Sequence, residues 1–184
     1  MHMRRIAKFH KVSKEQFQKD WIDTFGENDR QTGTPEDIYQ EIKLPRRATA
    51  GSAGYDFFAP VDVTLKPGET IKIPTGIRVE MEPEWVLKCY PRSGLGFKYR
   101  LQLNNTVGII DSDYFYSDNE GHMFAKITND SNEEKTLEIK KGDGFMQGIF
   151  VEYGITVDDD VTDVRNGGFG STTKRNNFQT DRRI

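Results

Sequence analysis

Four glycine-rich polar segments hold most of the residues in this chain whose types and spacing could do chemistry. The last runs Arg165-Asn166-Gly167-Gly168-Phe169-Gly170-Ser171-Thr172-Thr173-Lys174. Its glycines let backbone N–H groups approach an anion, its hydroxyls can donate to phosphate oxygens, and a cation stands at each end. Arg165 can grip a phosphate through two parallel hydrogen bonds. Phe169, alone among glycines, has no evident core partner and suits stacking on a flat ring. The P-loop spacing is absent, and by itself the string also suits a flexible loop. Pro91-Arg92-Ser93-Gly94-Leu95-Gly96 is a second anion site on paper, and equally a turn that ends a strand. Asn105-Thr106-Val107-Gly108-Ile109-Ile110-Asp111-Ser112-Asp113-Tyr114 carries two acids and an aromatic. If this is a strand, Asp111 and Asp113 share one face. Asp111 follows an apolar run, and a carboxylate ending a buried strand is better placed as a base than one in an open loop. Ala50-Gly51-Ser52-Ala53-Gly54-Tyr55-Asp56 is the fourth segment.

Something must hold these segments in place, and the pattern around them is that of short strands. Val61–Leu65, Ile71–Ile73 and Ile77–Met81 alternate apolar and polar residues, and Trp85–Tyr90 is a further β-rich run. Phe124–Ile127, Thr136–Ile139 and Met146–Val157 follow. Turn clusters such as Lys66-Pro67-Gly68-Glu69 and Lys141-Gly142-Asp143-Gly144 separate them. Short strands at this spacing predict an all-β sandwich or jelly roll from residue 42 to 164.

Residues 1–41 read differently, as a helical extension. Ser13 with Gln16 predicts a capping box, and Val12 with Phe17 a hydrophobic staple. Phe17, Trp21 and Phe25 then share one helical face, which must bury against the body of the chain or a neighbouring subunit. Thr34-Pro35-Glu36-Asp37 predicts a second, short helix that ends by about Glu41. Residues 165–184 are polar and basic and read as a mobile C-terminal arm.

The 184 residues suffice for one domain with an appendage. They are 35% hydrophobic and 30% charged, with a formal charge of −3, which argues against a general nucleic-acid binder. No apolar run is long enough to span a membrane, and no signal peptide is evident. A cytoplasmic protein is the expectation. Cys89 cannot form an internal disulfide and reads as a core residue, and the three scattered histidines suggest no zinc cluster.

Taken together, the segments resemble the motifs of the trimeric dUTPase family, in that family's order. Ala53-Gly54-Tyr55-Asp56 resembles the first motif and Pro91-Arg92-Ser93-Gly94-Leu95 the second. Gly108-Ile109-Ile110-Asp111-Ser112-Asp113-Tyr114, preceded by Asn105, closely matches the third. Gly142-Asp143-Gly144-Phe145-Met146-Gln147 is a looser match to the fourth, and Gly167-Gly168-Phe169-Gly170-Ser171-Thr172 resembles the fifth. The resemblance covers about residues 42 to 174.

It implies a mostly β, dUTPase-type jelly roll assembled as a homotrimer, with each active site shared between subunits. The third motif would come from one chain, the first, second and fourth from a neighbour, and the fifth from the arm of the remaining one. The implied reaction is hydrolysis of dUTP to dUMP and pyrophosphate, which limits uracil in DNA and supplies dUMP for thymidylate synthesis. Mg2+ would be held by the substrate phosphates and water, not by protein ligands. By position, Asp111 matches the base that activates water against the α-phosphorus. Asn105 and the backbone of Gly108, Ile109 and Ile110 match the uracil reader, with main-chain contacts from Phe124. Tyr114 matches the ring packed on the deoxyribose. Arg92, Ser93, Gly94 and Gln147 match the phosphate side, and Asp56 a supporting acid tied in through water. Arg165, Gly170, Ser171 and Thr172 match the arm's phosphate contacts, and Phe169 the ring that closes over uracil.

The chain departs from that family's usual pattern at Gly144, where arginine is common, at Thr173, where glycine is common, and in the spacing of Arg165 from Phe169. Phe115–Glu120 lengthens the hairpin. That hairpin or the N-terminal helix offers a surface for a protein partner, a regulatory reading on the same fold. A dCTP deaminase of the same fold would carry a glutamate base, whereas Ile110-Asp111-Ser112-Asp113-Tyr114 is the diphosphatase pattern.

Overall fold

A strand precedes the helices, although its basic sequence does not advertise one: β1 (Ala7–Lys11). It is followed by α1 (Lys14–Phe25), α2 (Pro35–Glu41), β2 (Arg46–Arg47), β3 (Tyr55–Phe58), β4 (Val63–Leu65), β5 (Thr70–Pro74), β6 (Ile77–Met81) and β7 (Trp85–Pro91). Next come α3 (Ser93–Tyr99), β8 (Leu101–Leu103) and β9 (Gly108–Ile110), then a 3-10 turn (Ser112–Tyr116). β10 (Phe124–Asn129), β11 (Leu137–Ile139) and β12 (Gly144–Glu152) complete the order. These assignments come from a computed structural model, which describes residues 3–27, 33–165 and 167.

The strands form an antiparallel jelly roll. One sheet has the order β2-β3-β12-β7-β9 and another the order β5-β10-β8, with β1-β6 and β4-β11 as additional pairs. Alternation places the core: Val63 and Leu65 of β4, and Leu137 and Ile139 of β11, point inward around exposed Thr64 and Glu138. β12 carries a bulge between Gly144 and Met146. The extra residue lets two neighbours, Phe145 and Met146, both reach the core.

The helices belong to that same core. Val12, Phe17, Trp21 and Ile38 are buried with residues of the sheets, and Phe25 packs at the margin. Phe17 and Trp21 of α1 are therefore covered by their own chain. Burying a side chain such as Phe17 is worth about 1.5–3 kcal/mol. The helix caps show one departure from expectation. Ser13 Oγ accepts the Gln16 N–H, as a capping box requires, but Gln16 does not return the bond. Its amide turns to Asp20, and the Ser13 N–H is taken by Glu120 from the far end of the chain. Thr34 caps α2 and bonds the Asp37 carboxylate. Among the described residues, no helix is long and apolar enough to cross a membrane.

Candidate active site

Successive strands β8 and β9 belong to different sheets. β8 pairs with β10, while β9 pairs with β7. Each is the last strand of its sheet, so each keeps one edge free of strand partners. A cleft of about 720 Å³ is lined by Asn105 and by Gly108, Ile109 and Ile110 of β9, together with Phe124, Ala125 and Lys126 of β10. Backbone groups of an edge strand such as β9 can read the donors and acceptors on the rim of a flat ring without spending side chains. Gly108 eases this packing. A Cβ there would stand 3.1 Å from the Cys89 Cβ across the β7–β9 pair. Cys89 is buried behind the cleft, and burial pushes its thiol up to about 12, so it is a core residue.

Asp111 sits at the mouth of this cleft, with its side chain half exposed. The strand expected to carry it stops at Ile110. Asp111 is the residue before the 3-10 turn, and Asp113 lies inside that turn, so the two acids do not alternate along a strand. They converge all the same. Arg165 donates from Nη2 to Asp111 Oδ2 at 2.5 Å and from Nε to Asp113 Oδ1 at 2.8 Å. The guanidinium carbon lies 5.9 Å from the centre of the Tyr114 ring. Tyr114 is buried, and its ring lines the cleft. Burial is the main reason its hydroxyl is held above the usual tyrosine range. Lys72 also lines the cleft, with its ammonium 4.5 Å from the centre of the Phe124 ring; no motif singled it out.

The other candidates gather elsewhere, where β3, β7 and β12 run side by side. Arg92, Ser93, Gly94 and Gly144 line a separate cleft of about 340 Å³. Arg92 Nε lies 3.3 Å from Asp56 Oδ1, a direct ion pair where a link through water was expected. Gln147 donates to the Pro91 carbonyl at 3.4 Å and fills the space beside Gly54. Gly144 has a local reason as well. A Cβ there would lie 2.7 Å from Arg92 Nη1, so the missing side chain leaves room for that arginine. One chain thus brings together Asn105 to Tyr114 with Phe124 and Arg165, and separately brings together Asp56, Arg92, Ser93, Gly94 and Gln147.

The family model described as dUTPase matches residues 40–173. The chain belongs to the dUTPase family. It is 43% identical over 134 residues to a deoxyuridine 5'-triphosphate nucleotidohydrolase of Lactococcus lactis, covering 71% of this chain and 88% of that protein. A relative of the same description from Shewanella loihica is 42% identical over 141 residues, covering 72% and 88%. Among solved structures, the dUTPase of Streptococcus mutans is similar at 35% identity with a TM-score of 0.54, covering 61% of this chain and 88% of that one. The dUTPase of Staphylococcus aureus phage phi11, at 23% identity and a TM-score of 0.53, shares the fold.

Within the dUTPase frame, Phe169, Gly170, Ser171 and Thr172 lie outside the described residues. Two residues that no motif announced are central to the loop beside the site. His122 and Glu120 hold it against α1, and their partners stand more than one hundred positions away, at Asp20 and Ser13. No local spacing could have shown this.

Proposed function

We propose that this chain hydrolyses dUTP to dUMP and pyrophosphate, as a dUTP diphosphatase working in a homotrimer. The observation that carries the reading is Asp111 beside a cleft lined by the edge strand β9 and by β10, with Tyr114 on its wall. Uracil enters the cleft and pairs with main-chain groups near Gly108 to Ile110, helped by Asn105 and by the backbone at Phe124. Cytosine presents the wrong donors and acceptors there, and thymine adds a methyl group. The deoxyribose lies on Tyr114, where a ribose hydroxyl has no room. Asp111 then accepts a proton from the water that attacks the α-phosphorus, and pyrophosphate leaves. A positioned carboxylate base contributes about 10²–10⁴-fold.

Arg92, Ser93, Gly94 and Gln147 serve the phosphates, and Asp56 steadies Arg92. Their separation from Asp111 within one chain supports a site completed by a neighbouring copy. Arg165 now occupies the two carboxylates. On binding, the substrate's phosphates compete for that guanidinium, which frees Asp111 and lets the arm carry Phe169, Gly170, Ser171 and Thr172 over the nucleotide. Mg2+ fits as an ion that arrives with the triphosphate. Among the described residues no three metal-ligating side chains gather into a cage, and Mg2+ prefers phosphate oxygens and water. When bound, it neutralises charge on the triphosphate.

The test is pyrophosphate release from dUTP with Mg2+, with dCTP, dTTP and UTP alongside, for the wild type and Asp111→Asn. Turnover of dUTP in strong preference to the others, reduced at least about 10²-fold by the substitution, is expected. A folded wild type that releases no pyrophosphate, or an Asp111→Asn variant that keeps its rate, overturns the proposal.

A further inference from the structure

α1 ties down the lengthened loop beside the site at two points. At its N-terminus, Glu120 Oε2 accepts the Ser13 N–H at 2.7 Å, and Glu120 Oε1 accepts the Ser13 hydroxyl at 2.6 Å. Further along the helix, Asp20 Oδ2 meets His122 Nδ1 at 2.5 Å. His122 is 0% exposed, and its Nε2 accepts the backbone N–H of Gly76 at 2.8 Å. A backbone amide only donates, so the ring proton lies on Nδ1 and faces Asp20. Burial pushes the Asp20 carboxyl up, but hydrogen bonds from His122 and Gln16 outweigh it and hold the group below the usual carboxylate range.

The other side of His122 reaches the cleft. Its carbonyl accepts the Tyr114 hydroxyl at 2.8 Å, and its ring centre lies 4.5 Å from that of Phe124. Tyr114 and Phe124 both line the cleft. A chain of contacts therefore runs from α1 through one buried histidine to the ring on which the sugar is read.

We propose that Asp20 is a positioning residue for sugar discrimination: by fixing His122, it fixes Tyr114 against the place where a ribose hydroxyl would sit. The inference rests on the reading of Tyr114 given above. Asp20 lies outside residues 40–173, so the family match does not assign it. The physical argument is one of satisfaction. Without the Asp20 carboxylate, the His122 Nδ1–H has no acceptor in a dry setting, and it relaxes only by moving the ring and the carbonyl that anchors the Tyr114 hydroxyl. A shift of a few tenths of an ångström there makes room for an extra oxygen.

The experiment compares kcat/KM for dUTP and UTP in the wild type, Asp20→Ala, Asp20→Asn and Phe25→Ala. Asp20→Ala is expected to lower the dUTP preference about tenfold while kcat on dUTP stays within about twofold. Asp20→Asn, whose Oδ1 can still accept the His122 proton, restores the preference. Phe25→Ala weakens the same helix without touching His122, so it lowers Tm and leaves the preference alone. An unchanged preference in Asp20→Ala, or an equal loss in Phe25→Ala, overturns the role. Nitrogen-resolved NMR of wild-type His122 gives a readout that needs no variant to fold: a proton on Nδ1 supports the inference, and a proton on Nε2 overturns it. A wild type without dUTP turnover would sink the proposed function itself, whereas normal turnover with an unchanged preference in Asp20→Ala sinks only this step.

Discussion

Cys89 shows how one buried side chain supports a backbone-lined site. It faces Gly108 across the β7–β9 pair, where a Cβ on residue 108 would press on it at 3.1 Å. Burial pushes its thiol up to about 12, so almost no thiolate exists at neutral pH. The expected outcome is that a disulfide reagent leaves the folded protein unlabelled at about pH 8 and labels one thiol per chain after denaturation. Fast labelling of the native protein would mean that β9 leaves β7 readily. At this scale, Asp111, Tyr114 and Arg92 stand out in the sequence because each sits in a short run of unusual residue types. His122 was not. It stands alone in sequence, and its meaning comes from Asp20 and Gly76, which only the fold brings near.

Helix α1 was legible as an element from its cap and its aromatic spacing, and the burial of Phe17 and Trp21 bears that out. Strand β1 was not, because its alternation is masked by Lys8, His10 and Lys11 on an edge. Helix α3 was read as a turn. Its glycines suggest a loop, yet Ser93–Tyr99 is helical and closes on Arg100 in the left-handed conformation, its N–H bonded to the Leu95 and Gly96 carbonyls. The expected length of Met146–Val157 also exceeded β12, which ends at Glu152. The clamp on Ser13 predicts an acid response. Burial pushes the Glu120 carboxyl up, but the two bonds from Ser13 and the nearby Arg78 hold it below its ordinary value of 4.5. A carboxylate depressed in the folded state stabilises fully above the unfolded value, and that contribution is lost as pH falls through the folded one. Glu120→Gln should therefore cost roughly 1 kcal/mol at neutral pH, with the gap to the wild type closing as the solution is acidified below the carboxylate range. Denaturant titrations across that range measure it, and a gap that widens in acid would contradict the assignment.

For the whole molecule, the two separated clefts matter most. If Asp111 of one chain serves Arg92 of another, chains that are each inactive should complement. Refolding an equal mixture of Asp111→Asn and Arg92→Ala chains should restore about a quarter of wild-type sites, since one pairing in four is intact. A mixture as inactive as its components would show that each chain works alone. The jelly roll itself was legible from strand spacing and turns, whereas the sharing of sites is an expectation that only the resemblance supplies. The clamps on α1 also set a timetable. Ser13 and Asp20 bond residues 107 and 102 positions later. At about 5–20 residues per second, a ribosome takes roughly 5–20 s to cover that distance. Throughout this interval the newborn helix holds Phe17 and Trp21 without the loop that will anchor it. The two clamps therefore close late, after nearer partners such as Tyr39 against Phe17 are already in reach.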